Sequence, residues 1–257
     1  YQPRSRGLGD VYKRQRFNAG HWLQGVDGCK GGWIRLRVRL PEPLHSPVGL
    51  VEATVHSEAF HLVELADPLP LTAIDIPIGL AERGPRACDH QARALLGARR
   101  SSVFPAPLRP VLAATSYGEA NALSRQLQGR GLSLQSFHLL AKIRQVDGLL
   151  QQHQALRPLL LETHPELCFR EWNGGTPLEH GKATPPGRLQ RLTLVESLFP
   201  GEFERIRPTL PRRAVADDDL LDAFALLRSA MRRAWGLASW VGEEEQDSCG
   251  LPMRIWF

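Results

Sequence analysis

Three aspartates from distant segments, Asp27, Asp75 and Asp222, combine a reactive residue type with surroundings that do not explain it. Asp27 ends the apolar run from Leu23, where the chain meets Gly28, so its carboxylate is expected at a strand end rather than on a solvated face. Asp75 is the only polar residue in Ala73-Ile74-Asp75-Ile76-Pro77. An unpaired carboxylate in such a strand is costly unless a cation or a donor meets it. Taken singly, either aspartate would serve as well as a buried structural acid bonded to backbone amides. Asp222 belongs to an acidic run at the start of the last helix. Asp217 reads as the N-cap, and Asp218 and Asp219 suit the helix dipole. Asp222 lies a turn further in, followed on the same side by Ala225 and Ser229, whose small size permits close approach to a sheet.

A further strand ends in Glu162-Thr163-His164-Pro165-Glu166, so Glu162 and His164 also emerge at a strand end; the bland alternative is a turn with a satisfied histidine. Carboxylates held together repel one another. One or two Mg²⁺ or Mn²⁺ ions, ~4 Å apart when paired, would relieve that repulsion and activate a water for phosphodiester attack. Oxygen-only ligands favour these ions over zinc. The expected ligands are Asp27, Asp75, Asp219 and Asp222, and the expected catalytic set is Asp27, Asp75, Glu162 and Asp222. Lys30, Arg99, Arg100, Ser101, Ser102, Lys142, Arg144 and His164 are the candidates for substrate phosphates, although solvated helix faces account equally well for the basic ones. Lysine is scarce, and Lys30 and Lys142 both fall within motifs.

The elements that must position these residues follow from periodicity. Leu23 to Asp27 and Trp33 to Leu40 read as a hairpin turning at Gly31-Gly32, with Ile34, Leu36, Val38 and Leu40 on one face. Arg35, Arg37 and Arg39 take the other face, expected to be solvated. Leu50 to Val55 is a third strand, and Ser57 caps a helix to about Ala66. Leu71 to Ile76 is a fourth strand, and Pro158 to Glu162 a fifth. Between these two, from about 84 to 153, the pattern is helical, with Ser116 and Glu119 in capping-box spacing and a long helix around Phe137 to Gln152. Thr184-Pro185 opens another helix, and the last runs from Asp217 past Met231 with Leu220, Phe224, Leu227 and Met231 as its apolar stripe. A three-strand meander followed by helix, strand, helix and strand describes a mixed α/β protein.

The 257 residues, 42% hydrophobic and 23% charged, allow one well-buried core. No run approaches the ~18 apolar residues of a membrane helix. No leader pattern is seen, and a cytoplasmic location is expected. Cys29, Cys88, Cys168 and Cys249 lack paired spacing and read as reduced, mostly buried thiols. The net charge of +5 says little about nucleic acid. Residues 1–20 hold Arg4, Arg6, Lys13, Arg14 and Arg16 against Asp10, or 5 − 1 = +4, leaving about +1 for the rest. That stretch is expected to be an unstructured tail or a junction artefact outside a single domain over 21–257.

Six segments carry a family resemblance: GVDGCKGGW (Gly25 to Trp33), AIDIPIGL (Ala73 to Leu80), CDHQARALLGARRSSVFPAP (Cys88 to Pro107), AKIRQVD (Ala141 to Asp147), ETHPELCF (Glu162 to Phe169) and DDLLDAFAL (Asp218 to Leu226). In this order they resemble the domain-of-unknown-function family 429. That resemblance implies a ribonuclease-H-like fold, with a mixed five-stranded sheet flanked by helices, and nuclease activity on DNA or RNA. It matches Asp27 to a first-strand acid, Asp75 to a fourth-strand acid and Asp222 to the acid of the final helix, as in Holliday-junction resolvases. It also matches Glu162 to the acid of the family's His-Pro-Glu motif. Gln145 departs from the pattern, which has glutamate there.

Two other functions fit parts of the sequence. Asp27-Gly28 followed by glycines resembles the phosphate-contacting hairpin of the sugar-kinase and actin group, which suggests a nucleotide-binding phosphotransferase. That group uses two such domains, and only one meander signature is seen. A non-catalytic nucleic-acid-binding module would have no need of clustered acids.

Overall fold

The strand that ends near Asp27 is the middle of a five-stranded sheet. A computed structural model describes residues 17–41, 48–63 and 68–257 of the chain. β1 (Trp22–Cys29) pairs antiparallel with β2 (Gly32–Arg39), which pairs antiparallel with β3 (Glu52–His56). On its other side β1 runs parallel to β4 (Leu71–Ile74), and β4 parallel to β5 (Leu160–Glu162), giving the order β3-β2-β1-β4-β5. The protein is therefore α/β with a mixed sheet. Seven α-helices lie among the described residues: α1 (Ala87–Leu96), α2 (Tyr117–Gln128), α3 (Leu134–Gln152), α4 (Pro165–Trp172), α5 (Pro185–Leu198), α6 (Glu202–Ile206) and α7 (Asp217–Ala234).

Strand alternation sorts the apolar residues into two cores. Leu23, Ile34, Leu36, Leu71, Ala73 and Leu161 join the core that includes α7. Val26, Trp33, Ile74 and Leu160 join a second core with Ile143, Val146 and Leu149 of α3. With both faces covered, the parallel strands β4 and β5 are buried throughout rather than alternating. The same cover corrects the reading of β2. Ile34, Leu36, Val38 and Leu40 are buried and Arg39 is exposed, but Arg35 is buried, its guanidinium donating to Thr54 Oγ1 (3.1 Å) and Leu62 O (3.4 Å). The covering element there is a single 3-10 turn, Ala59–Leu62, in place of the helix expected from Ser57; residues 64–67 of that expectation lie outside the described residues.

The helical stretch expected around 84–153 is the crossover from β4 to β5. It holds α1, α2 and α3, with α3 lying on the sheet and α2 sharing a small core of its own with Val111, Leu132 and Leu140. Ser116 accepts the Glu119 N–H, and Glu119 reaches back to Thr115 N at 2.8 Å. Thr184 likewise caps α5 by accepting from Gly187 N. A two-stranded hairpin, β6 (Trp240–Gln246) and β7 (Pro252–Trp256), is a feature the sequence reading missed. Its first strand carries Glu243-Glu244-Glu245 in the open and buries only Val241, so no apolar period marks it.

α7 is the helix that reaches the centre of the sheet. Its stripe of Leu220, Phe224, Leu227 and Met231 is fully buried, and so are Ala223, Ala225, Leu226 and Ala230 around it. Close approach comes from the strand side. A Cβ on Gly25 of β1 would overlap Leu227 N and Ala223 O and stand 2.7 Å from Leu227 Cα. Ala225 and Ser229 do not make that contact; the Ser229 hydroxyl instead meets Cys168 Sγ of α4 at 3.0 Å. The N-cap of α7 is Ala216, one residue earlier than expected, because Asp217 is drawn to Arg188 at 2.7 Å and Asp219 Oδ2 accepts the Ala216 N–H at 2.8 Å.

Residues 1–16, most of the expected tail, lie outside the described residues. Phe17 packs against the main core and Gly20 N donates to Leu40 O, so the fold includes the last of that stretch. Cys29, Cys88 and Cys168 are buried free thiols and Cys249 is half-buried. No helix among the described residues is long and apolar enough to cross a membrane. Because backbone meets backbone at Gly25, Gly25→Ala should cost about 3 kcal/mol of stability or more, read from urea unfolding. A loss below about 1 kcal/mol would mean the helix does not sit on the strand so closely.

Candidate metal and hydrolysis site

The sheet turns from antiparallel to parallel pairing at β1, where β4 ends level with Val26 while β1 runs on to Cys29, so Asp27 lies inside its strand rather than at the expected end and Asp75 directly follows its own. Gly25 is in register with Ala73 and Val26 with Ile74, and Asp75 N donates to Val26 O at 3.1 Å. By alternation Asp27 and Asp75 leave the sheet on the face of Gly25 and Ala73, which is the face that α7 covers. Asp222 stands on α7 beside Ala223, the residue pressed onto Gly25. All three line one cavity of about 460 Å³, together with Asp219, His164 and Lys182.

Asp27 and Asp222 are buried and Asp75 is half-buried. No described residue donates a hydrogen bond to the side chain of Asp27 or Asp75, whereas Asp222 Oδ2 accepts from Lys182 Nζ at 2.8 Å. Burial, then the neighbouring Asp75 and Asp222, hold the Asp27 carboxyl well above the usual carboxylate range. Burial likewise raises Asp75, against the pull of His164 and Lys182. It pushes Asp222 up to about 6, with Lys182 opposing and Asp75 adding to the rise. These three acids titrate as one system. Their oxygens suit a hard dication in kind. Among the described residues, however, no three His, Cys, Asp or Glu side chains are disposed to hold an ion, and the positive charge at Asp222 is the Lys182 ammonium.

A family model described as a protein of unknown function, DUF429, matches residues 25–246. The chain belongs to this family. No curated protein and no solved structure matches it at a significant level. The DUF429 match takes in all three aspartates, Lys182, β1 from Gly25 onward and every later strand except β7.

The other predicted residues of this DUF429 chain separate into cavity and scaffold. Glu162 is scaffold. It pairs in register with Ile74, so it leaves the sheet on the opposite face from Asp27 and Asp75. Arg86 grips it with two bonds, at 2.6 and 2.8 Å, and Ile78 N donates a third at 2.7 Å. Burial raises its pKa while Arg86 and the Ile78 amide pull it back, and its oxygens are already engaged. The acid of His164-Pro165-Glu166 is Glu166 itself, bonded by Arg191 at 2.5 Å and Arg99 at 3.2 Å. Asp219 lines the cavity, but one of its oxygens is committed to capping α7. His164 also lines it, with Nε2 at 3.3 Å from Ser102 O and Nδ1 buried without a partner.

Arg99, Ser102 and Lys142 lie on the cavity wall; Lys30, Arg100 and Ser101 are exposed and line no part of it. Lys142 is partly engaged already, bonding Cys29 O and Gly32 O and lying 4.5 Å from the centre of the Trp33 ring. Arg144 faces elsewhere, donating to Leu112 O and Ala114 O, so it braces the loop before α2. Gln145 accepts from Trp33 Nε1 (2.9 Å) and Ala59 N (3.1 Å), both donors, and so ties the 3-10 turn to the hairpin without needing a charge. Sequence reasoning missed Lys182. Its one available signal was scarcity, because only four of the 32 basic residues are lysines.

Because Asp27 is raised in the folded state, the folded protein holds extra proton between the unfolded and folded values, and stability falls as pH rises through that window. Asp27→Asn removes this contribution. In metal-free buffer the variant should be more stable than wild type at pH 8, and the gap should close toward pH 4. Urea midpoints across that range test it, and a gap that does not change with pH would count against it.

Proposed function

We propose that this protein is a metal-dependent nuclease of ribonuclease-H-like fold that hydrolyses phosphodiester bonds in DNA or RNA. The observation that carries the reading is the meeting of Asp27, Asp75 and Asp222 in one cavity, with Asp27 and Asp75 receiving no hydrogen bond from a described side chain or backbone amide. Buried carboxylates left in this state call for a cation from outside the chain. The strand order β3-β2-β1-β4-β5, with a meander followed by two parallel strands, supports the fold part of the reading.

Asp27, Asp75 and Asp222 would hold Mg²⁺ or Mn²⁺, and that ion, when bound, supplies a bound water of lowered pKa for attack on phosphorus. The chain's own residues do the positioning. Arg99, held by Glu166 and 24% exposed, presents a guanidinium on the cavity wall for a phosphate oxygen. His164 and Ser102 line the same cavity. Glu162 has no part in this set, since Arg86 occupies it. A phosphotransferase of the actin type is less well supported, because the second sheet among the described residues is only a two-stranded hairpin.

Purified protein with Mn²⁺ or Mg²⁺ should cut at least one of single-stranded, duplex, hybrid or branched nucleic acid. Asp27→Asn should lower the rate by about 10³-fold or more, the scale for losing a group that stabilises developing charge, without lowering the unfolding midpoint. Wild type and variant equally inert on all four substrate types would sink the reading.

A further inference from the structure

Lys182 is placed where a metal ion's charge would be needed. It lies in the irregular segment between α4 and α5, with Nζ 2.8 Å from Asp222 Oδ2 and 3.4 Å from Asp218 Oδ2. The base of this segment is fixed. Thr184 N and Oγ1 both donate to Gly181 O, and Gly187 of α5 packs against that same carbonyl with no room for a Cβ. The side chain is not fixed in the same way: it is 44% exposed and reaches the acids from the rim of the cavity. A lysine has a flexible four-carbon stem ending in a compact point charge, and it can change partners without moving the backbone.

The other buried acids are neutralised differently. Arg86 holds Glu162 and Asp89, Arg191 holds Glu166, and Arg109 holds Asp247, each from a side chain at most 12% exposed. Among the described residues, only at the aspartate cavity is a buried acid's counter-charge a half-exposed lysine. Asp218, itself 40% exposed, stands beside Asp222 as a second partner for the same ammonium on the solvent side.

We propose that Lys182 is a resident counter-cation of the acid cluster, which a divalent ion must displace from Asp222 and which then stays on Asp218. The inference rests on the reading of Asp27, Asp75 and Asp222 as a divalent-metal site. It makes metal entry an exchange of cations. A dication gains two charges' worth of attraction and can complete the exchange, whereas a monovalent ion offers no advantage over the ammonium already there. The apo protein thereby avoids carrying an uncompensated buried charge at Asp222.

The test is Mn²⁺ binding to the full chain without nucleic acid, by calorimetry or by loss of the free Mn²⁺ paramagnetic resonance signal. Lys182→Met keeps the stem and removes the competitor, so it should bind Mn²⁺ up to about fivefold more tightly, the effect of one contact ion pair at a partly exposed site. Lys182→Arg, which keeps the charge, should bind no more tightly than wild type. In metal-free buffer Lys182→Met should also melt lower than wild type, and Mn²⁺ should restore it. A wild-type readout is independent of folding defects: the ¹³C resonance of the Lys182 ε-carbon, one of four lysines, should move on saturation with diamagnetic Mg²⁺. Equal or weaker Mn²⁺ binding by Lys182→Met, or an unmoved Lys182 resonance, overturns the exchange. If that binding is still abolished by Asp27→Asn, the metal site itself stands. No Mn²⁺ binding by wild type or any variant overturns both.

Discussion

The contact on which the molecule depends is backbone against backbone, where α7 lies on β1 at Gly25. No side chain separates them, so the helix sits closer to the sheet than ordinary side-chain packing would permit. β1 is the central strand, and its parallel neighbour β4 ends level with Val26, one residue before Asp27. Lowering α7 onto that point brings a helical acid to one acid within β1 and one just past β4. A methyl group at residue 25 would lift the helix and part Asp222 from Asp27 and Asp75. The buried circumference of α7 follows from the same position, because a helix pressed onto the middle of a sheet has α4 and α5 packed along its flanks.

Such an arrangement gathers like charge in a site of low polarity, which is unfavourable by itself. The chain resolves its buried charges in two distinct ways. Where an acid supports the fold, an arginine closes on it with forked or multiple bonds. Arg86 joins Glu162, Asp89 and the Ile78 and Gly79 carbonyls, and Arg109 joins Asp147 to Asp247. Such pairs fix geometry and leave the carboxylates no free oxygen of consequence. Where the acids face the cavity, two of them take no hydrogen bond and the third takes one from a lysine at the rim. The contrast between acids gripped by an arginine and acids that accept no hydrogen bond, more than their number, separates scaffold from candidate site.

Asp27 and Asp75 were legible in the sequence because each interrupts an apolar strand, and period-two alternation puts both on one face whatever lies above it. Asp222 was legible because capping and the helix dipole account for the acids before it but not for one a turn further in. Glu162 carried the same strand-end signal, but the sequence does not show that Arg86 and the Ile78 amide hold its oxygens. Its side depends on a register offset between β4 and β5, and one residue of offset exchanges the faces of a sheet. Arg144, Lys142 and Arg100 show the parallel failure for basic residues: one braces a loop, one is partly spent on carbonyls and one faces solvent. A basic residue within a motif does not reveal which side of its helix is covered.

The sequence by itself determined the α/β class, the meander followed by parallel strands, the last helix and the two aspartates that interrupt apolar runs. All of these rest on local period and local polarity, which a chain displays without folding. Only the tertiary structure decided that Glu162 belongs to Arg86, that Gln145 ties Trp33 to the 3-10 turn, and that Lys182 supplies the positive charge at Asp222. Those pairings join residues 40 to 112 positions apart, or 76 in the case of Arg86 and Glu162. Partners so distant are chosen by how elements stack, because burial sets the cost of an unpaired charge and only the folded chain determines what is buried.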